Sequence, residues 1–267
     1  MNLPEPQTGT HPGGAGAQGR PGSPLEPPSA DPAPQDDPGA AGEPDAVAWR
    51  YARRGPADRY SPLQPDVWLT LQERQRAIVR LFAALGWHDL SQRRLVEVGC
   101  GTGGNLLEML RLGFDPAHLE GVELLPQRLA LARRVLPSAL ALHEGDASAW
   151  LRRDGSADVV LQSTLFSSLL DAGFQQRLAQ AMWETVRPGG GVLWYDFTVD
   201  NPRNRDVRGV PPARIAALFP QGRLRWQRLT LAPPLGRVVA RWHPAAWTAL
   251  NTLPWLRTHV LAWVHKA

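Results

Sequence analysis

The chain has 267 residues and a formal net charge of +4, a length that fits one large domain or two small ones. Its single cysteine, Cys100, excludes an intrachain disulfide framework and a zinc site built from cysteines. No apolar run approaches the ~18 residues that a membrane-spanning helix needs. We therefore expect a soluble protein without a transmembrane segment and without a metal site.

Composition changes sharply after the first 45 residues. Residues 1–45 contain 11 of the 26 prolines, 8 of the 25 glycines and seven acids against one base, Arg20. Such a segment buries too little apolar surface to offset the entropy of ordering it, so we predict a disordered tail over residues 1–45. It lacks the basic start and apolar core of a signal peptide, from which we expect a cytoplasmic protein.

The remaining 222 residues carry a net charge of +10, with 28 bases against 18 acids. All of these bases except Lys266 are arginines, and they are scattered along the chain. A basic domain can favour nucleic acid, but dispersed arginines are more typical of an ordinary solvated surface. We do not expect a nucleic-acid partner.

Helix and strand patterns alternate from residue 65 onwards. Apolar residues recur at helical spacing over residues 65–86, and we expect residues 46–90 to form a helical segment that caps the active site. The predicted strands that follow are 94–98, 119–123, 139–143, 158–162 and 191–197, and the helices between them are 105–112, 126–136 and 174–186. This alternation is typical of a Rossmann-like, doubly wound α/β domain, which we assign to residues 91–267.

The last third of the chain is less regular. Its pattern predicts helices at 212–218 and 245–253 and strands at 224–231 and 258–265. It also contains five tryptophans at irregular spacing, namely Trp226, Trp242, Trp247, Trp255 and Trp263. We expect these tryptophans to pack in the core. The alternative is that they line an apolar pocket for a substrate.

A glycine-rich turn follows the first predicted strand directly. Gly99, Gly101, Gly103 and Gly104 lie between a strand and a helix, so the backbone can turn tightly there and approach a ligand closely. The run satisfies both Gly-x-Gly-x-Gly, usual for S-adenosylmethionine, and Gly-x-Gly-x-x-Gly, usual for dinucleotides. The glycines alone leave both cofactors open.

Three acidic residues favour the first of these cofactors. Glu97 precedes the first glycine by two residues, where a carboxylate repels a pyrophosphate but suits a ligand with an ammonium and a sulfonium. Glu123 ends the second strand, where a carboxylate can accept both ribose hydroxyls of either cofactor. Asp146 follows the third strand, in position to hold an adenine amino group, with an ordinary loop acid as the alternative.

The segment from Leu95 to Phe197 resembles the class I S-adenosylmethionine-dependent methyltransferases. The motifs occur in the family order as VEVGCGTGGN, GVELLPQRLALAR, EGDA, DVVLQSTLFSSLLD and VRPGGGVLWYDF. The resemblance implies a seven-stranded sheet in which the last strand, 258–265, inserts antiparallel between strands five and six. It also implies that Gly99, Gly101 and Gly103 hold the methionine part of S-adenosylmethionine, together with Gln162 at the end of strand four.

A narrower likeness covers most of the predicted domain. Segments such as RYSPLQP, WYDFTVDNPRNRDVRGV and LPWLRTHVLAWVHK resemble bacterial methyltransferases found beside polysaccharide-assembly genes. The likeness implies a sugar or sugar-linked acceptor. We expect methyl transfer to a small-molecule or sugar-type acceptor, on oxygen or nitrogen.

Methyl transfer from a sulfonium is an in-line displacement that depends mainly on positioning, and a base helps when the acceptor is a hydroxyl. The predicted catalytic residues are Tyr195 and Asp196 at the end of strand five, with Asp200 and His143 as further candidates. The alternative interpretations are that Tyr195 packs in the sheet and that Asp196 caps the loop that follows.

An arginine-rich loop follows strand five. Arginine forks suit phosphate or carboxylate, so we predict that Arg203, Arg205 and Arg208 bind an anionic acceptor. The equal alternative is a solvated loop in which these arginines pair with Asp200 and Asp206.

Two other functions fit the same sheet. A nicotinamide-dependent oxidoreductase is disfavoured by Glu97 and by the lack of a Tyr-x-x-x-Lys pair, since the only lysine is Lys266. A non-catalytic cofactor-binding protein remains an alternative, because methyltransferases need no obligatory catalytic residue.

Overall fold

A computed structural model describes residues 42–53, 61–202 and 204–267, all of which belong to one compact unit. The strands are β1 (Leu95–Val98), β2 (Leu119–Glu123), β3 (Ala141–Glu144), β4 (Ala157–Ser163), β5 (Val186–Phe197), β6 (Arg223–Leu231) and β7 (Arg257–His265). The helices are α1 (Glu43–Ala52), α2 (Pro65–Ala84), α3 (Gly104–Arg111), α4 (Pro126–Val135), α5 (Ala147–Trp150), α6 (Ala172–Thr185), α7 (Pro212–Leu218), α8 (Pro233–Trp242) and α9 (Pro244–Leu250). Short 3₁₀ turns occupy Pro116–His118, Phe166–Ser168 and Pro254–Leu256.

The strands form one seven-stranded sheet in the order β3-β2-β1-β4-β5-β7-β6. Neighbours pair in parallel from β3 to β5, whereas β7 pairs antiparallel with both β5 and β6. The predicted doubly wound α/β sheet with an antiparallel last strand is therefore confirmed. Strand order reverses beside β1, which is where sheets of this kind bind their ligands, at the carboxyl ends of the strands.

Both faces of the sheet are buried over the central strands β1, β2 and β4, which explains why these strands are nearly continuously apolar. Val96 and Val98 pack on the face covered by α6 and α7, whereas Leu95 packs on the opposite face with α2 and α3. Because side chains alternate along a strand, Glu97 projects to the same face as Leu95. That alternation puts a carboxyl group under α2 and α3.

The main differences from the predicted elements are three helices, α1, α5 and α8. The predicted end of the tail, at residue 45, lies inside α1, so residues 43–45 are helical rather than disordered; residues 1–41 lie outside the described part. The acids Glu43 and Asp45 and a proline in the first turn all favour this helix start.

β5 begins at Val186, five residues before the predicted strand 191–197. The pairing of β4 with β5 shifts register between Ala157 and Val159. A Cβ atom on Gly190 would lie 2.6 Å from the Asp158 carbonyl oxygen, so glycine is required for this close approach.

The prediction that the five C-terminal tryptophans pack in the core is correct for two of them. Trp247 and Trp263 are buried, whereas Trp226, Trp242 and Trp255 are 48%, 82% and 74% exposed. Among the described helices, none is long and apolar enough to cross a membrane.

Candidate active site

A cleft of about 690 Å³, its open mouth included, lies at the carboxyl ends of β1 to β4. Gly99 follows β1, Glu123 ends β2, Asp146 follows β3 and Ser163 ends β4, and all four line this cleft. The first strand-to-helix loop and two of the three predicted acids are thus brought together from separate parts of the sequence.

The glycine loop has the conformation that its sequence predicts. Gly99, Gly101 and Gly103 have φ angles of +69°, +59° and +85°, a region that other residues adopt at a cost. A Cβ atom on Gly101 would lie 2.6 Å from Nη2 of Arg128, and one on Gly103 would lie 2.7 Å from Leu136. Of the three, Gly99 lines the cleft, while Gly101 and Gly103 form the turn that begins α3.

Glu123 fixes the shape of this loop. Its buried carboxylate accepts hydrogen bonds from the Gly101 amide (2.7 Å) and from the Leu125 amide (2.9 Å). Each oxygen keeps a further lone pair, because an ionised carboxylate accepts about four hydrogen bonds. The group can therefore hold the loop and still accept hydroxyl hydrogens from a ligand in the cleft.

Asp146 has a local role as well as a place in the cleft. It caps the short helix α5, since one oxygen accepts the Ser148 amide and the other accepts the Ser148 hydroxyl, both at 2.8 Å. Asp146 can therefore be both an acid that orders the local loop and a side chain that contacts a ligand in the cleft.

Glu97 is fully buried beside the cleft rather than in its lining. One oxygen accepts a hydrogen bond from the Asn105 amide group at 2.5 Å, and Oε2 has no partner among the described residues. Burial raises the pKa of Glu97 to about 8, although Asn105 and Arg74 lower it. An unpartnered buried carboxyl oxygen is costly, and a cationic ligand group would relieve that cost.

A second, smaller cavity of about 230 Å³, its open mouth included, lies on the α2 side of the same sheet edge, and its enclosed part has room for about one water molecule. Arg74 of α2 lines it and donates hydrogen bonds to Asn105 (2.7 Å), Glu108 (2.9 Å) and Ser163 (3.3 Å). Ser163 lines both cavities, so the two spaces meet at the end of β4.

The two predicted catalytic residues lie on opposite faces of β5. Tyr195 lines the second cavity, and its hydroxyl is 2.7 Å from that of Thr230; burial raises the pKa of Tyr195 to about 12. Asp196 is buried, and its oxygens accept the Ser167 amide (3.1 Å) and the Phe197 amide (2.9 Å). Burial raises the pKa of Asp196 to about 7. These bonds make Asp196 a support for the 166–168 turn.

The remaining predicted polar residues have structural partners. Gln162 is buried and accepts the Leu165 amide at 3.2 Å, so it holds the turn after β4 rather than lining the cleft. Asp200 accepts the Gly209 amide at 2.8 Å. His143 stacks on Trp150 with ring centroids 4.2 Å apart, away from both cavities, and burial lowers its pKa.

The arginine-rich loop is only partly described. Arg203 lies outside the described residues, while Arg205 and Arg208 are exposed and line neither of the two cavities. The Arg208 amide donates to the Ser167 carbonyl at 2.8 Å, which holds the loop against the 166–168 turn. Within the described part of the chain, neither side chain forms an ion pair with Asp200 or Asp206.

Helix α1, most of which lies in the segment 46–90 that was expected to cap the active site, closes one side of the cleft. Val47 and Tyr51 line the cleft, and the guanidinium of Arg128 lies 5.1 Å from the Tyr51 ring centroid. Glu43 binds Arg50 at 2.5 Å and accepts the Leu170 amide at 2.6 Å, which fastens α1 to the turn after β4. Acids in the first turn followed by apolar residues at helical spacing were the available signal.

Arg74 and Asn105 were missed as site residues. In the sequence, Arg74 is one of several charged residues on an amphipathic helix, and no local pattern distinguishes it. It becomes a site residue because α2 packs over the carboxyl ends of β4 and β5.

Comparisons with known proteins agree with this geometry. A family model described as a methyltransferase domain matches residues 95–190, whereas the sequence matches no curated protein. A methyltransferase from Archaeoglobus fulgidus, described as S-adenosylmethionine-dependent, has a similar structure with a TM-score of 0.52 and 14% identity over 73% of this chain and 96% of that one.

Two further structures share the fold. Phosphoethanolamine N-methyltransferase 2 from Haemonchus contortus, in complex with S-adenosyl-L-methionine, has a TM-score of 0.56 and 14% identity over 86% of this chain and 61% of that one. An amino pentose methyltransferase from Micromonospora echinaspora has a TM-score of 0.50 and 16% identity over 72% and 90% of the two chains. Residues 95–190 therefore match a methyltransferase domain, and the chain has the class I fold of these S-adenosylmethionine-dependent enzymes.

Proposed function

We propose that the protein transfers a methyl group from S-adenosylmethionine to a small-molecule or sugar-type acceptor, on oxygen or nitrogen. The observation that carries the proposal is the cleft in which Gly99, Glu123 and Asp146 meet at the carboxyl ends of three neighbouring strands. Their order along the chain is that of the class I motifs, and the matched methyltransferase domain spans all three.

The adenosine half of the cofactor fits this cleft. We propose that Glu123 accepts the ribose hydroxyls with the lone pairs that Gly101 and Leu125 leave free. Asp146 would hold the adenine amino group, and Val47 and Tyr51 of α1 would cover the base. The mixture of apolar walls with a few fixed polar groups is typical of cofactor sites.

The methionine half requires a place for an ammonium group. The unpartnered Oε2 of Glu97 supports an assignment to that role, because the carboxyl group lies two residues before the loop glycine that lines the cleft. Gly99, Gly101 and Gly103 would let the backbone approach this half of the cofactor, and Gln162 would support it from the turn after β4.

S-adenosylmethionine supplies a methyl group on a positively charged sulfur, which makes the methyl carbon electrophilic. The protein must then hold the acceptor atom in line with that carbon and exclude water. We propose that the acceptor enters the second cavity, because it joins the cofactor cleft at Ser163. Arg74 and Tyr195 would position it there, and Asp196 would act indirectly by holding the 166–168 turn.

The loop arginines Arg203, Arg205 and Arg208 stay part of the proposal as contacts to an anionic acceptor. Arg205 and Arg208 are exposed, and among the described residues neither forms an ion pair with Asp200 or Asp206. Both observations support this assignment.

Mass spectrometry tests the proposal directly. The full chain is incubated with S-adenosylmethionine and a panel of sugars, nucleotide sugars and small amines, and methylated product and S-adenosylhomocysteine are quantified. Product should form with at least one acceptor in the panel and fall strongly in Glu97→Gln, while Glu144→Gln, an exposed neighbour at the end of β3, should match the wild type. Tight S-adenosylhomocysteine binding without turnover across the panel would favour the non-catalytic alternative.

A further inference from the structure

The C-terminal part of the chain is strongly basic. Residues 207–267 contain nine basic residues and no Asp or Glu at all. They form α7 to α9 and the strands β6 and β7, so this excess of positive charge lies on the β7 and β6 side of the sheet. A one-signed field of this kind attracts anionic partners.

Large apolar side chains are exposed in the same region. Val238, Trp242 and Trp255 are 70%, 82% and 74% exposed, which makes them three of the most exposed large apolar residues described. Exposed apolar residues that cluster mark interaction sites more often than scattered ones do.

Helix α8 displays these residues beside unpaired arginines. Val238 and Trp242 are four residues apart, as are Arg237 and Arg241, so the four share the solvent-facing side of the helix. The other side is closed, because Gly236 and Ala240 are buried and Gly236 packs against the Trp247 indole. Among the described residues, neither arginine forms an ion pair.

The turn that contains the exposed Trp255 is joined to the start of α8. The Ala232 amide, just before α8, donates to the Leu256 carbonyl at 2.8 Å. We call Arg237, Val238, Arg241 and Trp242 the α8 surface.

The α8 surface lies at the edge of the sheet that carries the active site. β6 runs parallel to β5, because both are antiparallel to β7, so β6 ends at the same edge as β1 to β5. Thr230 near that end contacts the Tyr195 hydroxyl, and α8 begins three residues later.

We propose that the α8 surface docks on an anionic lipid membrane, with α8 lying in the plane of the interface. Tryptophan and valine gain by entering the headgroup and acyl boundary, while neighbouring arginines bind lipid phosphates. A nucleic acid would satisfy the arginines but leave Val238 in water. A ten-residue helix is too short to span a bilayer but has the length of about two to three turns that an interfacial contact needs.

Vesicle sedimentation of the full chain tests the proposal. The wild type should bind vesicles of equal parts phosphatidylglycerol and phosphatidylcholine, and bind pure phosphatidylcholine far more weakly. Arg237→Gln combined with Arg241→Gln should lower the partition coefficient about thirtyfold, from about 1 kcal/mol for each arginine near an anionic surface. Trp242→Ala should also lower it, and should retain the preference for anionic vesicles.

Helix α4 provides a matched control. It exposes Arg133, Arg134 and Val135, also an arginine pair beside a valine, so Arg133→Gln with Arg134→Gln removes the same charge elsewhere. This control should bind vesicles nearly as the wild type does.

The outcomes separate membrane docking from its competitors and from the methyltransferase assignment. Wild-type binding that is absent, or that falls equally in the α4 control and the α8 variants, would overturn the proposal. Stronger binding to a random single-stranded oligonucleotide than to vesicles at equal salt would overturn it too. Affinity for S-adenosylhomocysteine in solution should be the same in all these variants, so a failed cofactor assay and a failed vesicle assay are independent results.

Discussion

Replacing Glu123 with alanine removes the group that links the glycine loop to the cleft. Its carboxylate accepts two backbone amides, from Gly101 at 2.7 Å and from Leu125 at 2.9 Å, and it is 4% exposed. If it also accepts the ribose hydroxyls, Glu123→Ala loses charge-assisted hydrogen bonds worth about 1.5–3 kcal/mol in cofactor binding. Affinity for S-adenosylhomocysteine should then fall roughly tenfold to a hundredfold.

The same substitution leaves two buried amide hydrogens without an acceptor. Each costs about 1–3 kcal/mol unless water enters, so the melting temperature should fall by several degrees. Loop damage alone would also weaken cofactor binding, and a melting curve does not separate the two causes. Glu144→Ala, which removes an exposed carboxylate from the neighbouring strand end, is the matched control.

A ligand lacking the ribose hydroxyls separates the two effects. Calorimetry of the wild type should show much weaker binding of a 2′,3′-dideoxy analogue than of S-adenosylhomocysteine, and Glu123→Ala should bind both about equally. If the folded mutant discriminates between the two ligands as strongly as the wild type does, Glu123 is not the ribose ligand and the assignment of the cleft is refuted.

Three further predictions concern Glu97, the N-terminal segment and the arginines of the loop after β5. Because burial raises the pKa of Glu97 to about 8, its carboxyl group is largely protonated at neutral pH. Calorimetry should therefore show that affinity for S-adenosylhomocysteine rises as the pH increases towards 8. Glu97→Gln should weaken binding and remove most of this pH dependence. Deleting residues 1–41 should leave affinity and melting temperature nearly unchanged, whereas deleting residues 1–52 removes Val47 and Tyr51 from the cleft and should weaken binding; equal affinities would mean that α1 does not contact the cofactor. For an anionic acceptor, alanine at Arg203, Arg205 and Arg208 together should raise its KM and leave cofactor affinity intact, and unchanged kinetics would remove this loop from the acceptor site.

The sequence predicted the features that depend on local pattern. The alternation of strands and helices predicts the parallel part of the sheet. The glycines and the acids at successive strand ends predict residues that line the cleft. The antiparallel position of β7 came from family resemblance, since the pattern of residues 258–265 contains no information about its neighbours.

The contacts that fasten the capping segment 46–90 and its flank were not predicted. Glu43 accepts the Leu170 amide, and Arg74 reaches Asn105 and Ser163, contacts that no sequence window contains. Asp196 occupies a strand end, as a catalytic acid would, but its hydrogen bonds to the Ser167 and Phe197 amides emerge only from the folded turn.

The exposed tryptophans were predicted to be buried. Residue type alone predicts burial for Trp242 and Trp255, and no sequence period separates the three exposed tryptophans from the two buried ones. Their exposure on a basic helix and its adjoining turn is a property of how α8 and α9 pack against α2.

The central claim is that the cleft between Gly99, Glu123 and Asp146 binds S-adenosylmethionine rather than a dinucleotide. Titration calorimetry of the full chain with S-adenosylhomocysteine and, separately, with NAD measures this directly. We expect a dissociation constant in the micromolar range for S-adenosylhomocysteine and no measurable heat of binding for NAD. Tighter binding of NAD than of S-adenosylhomocysteine would contradict it.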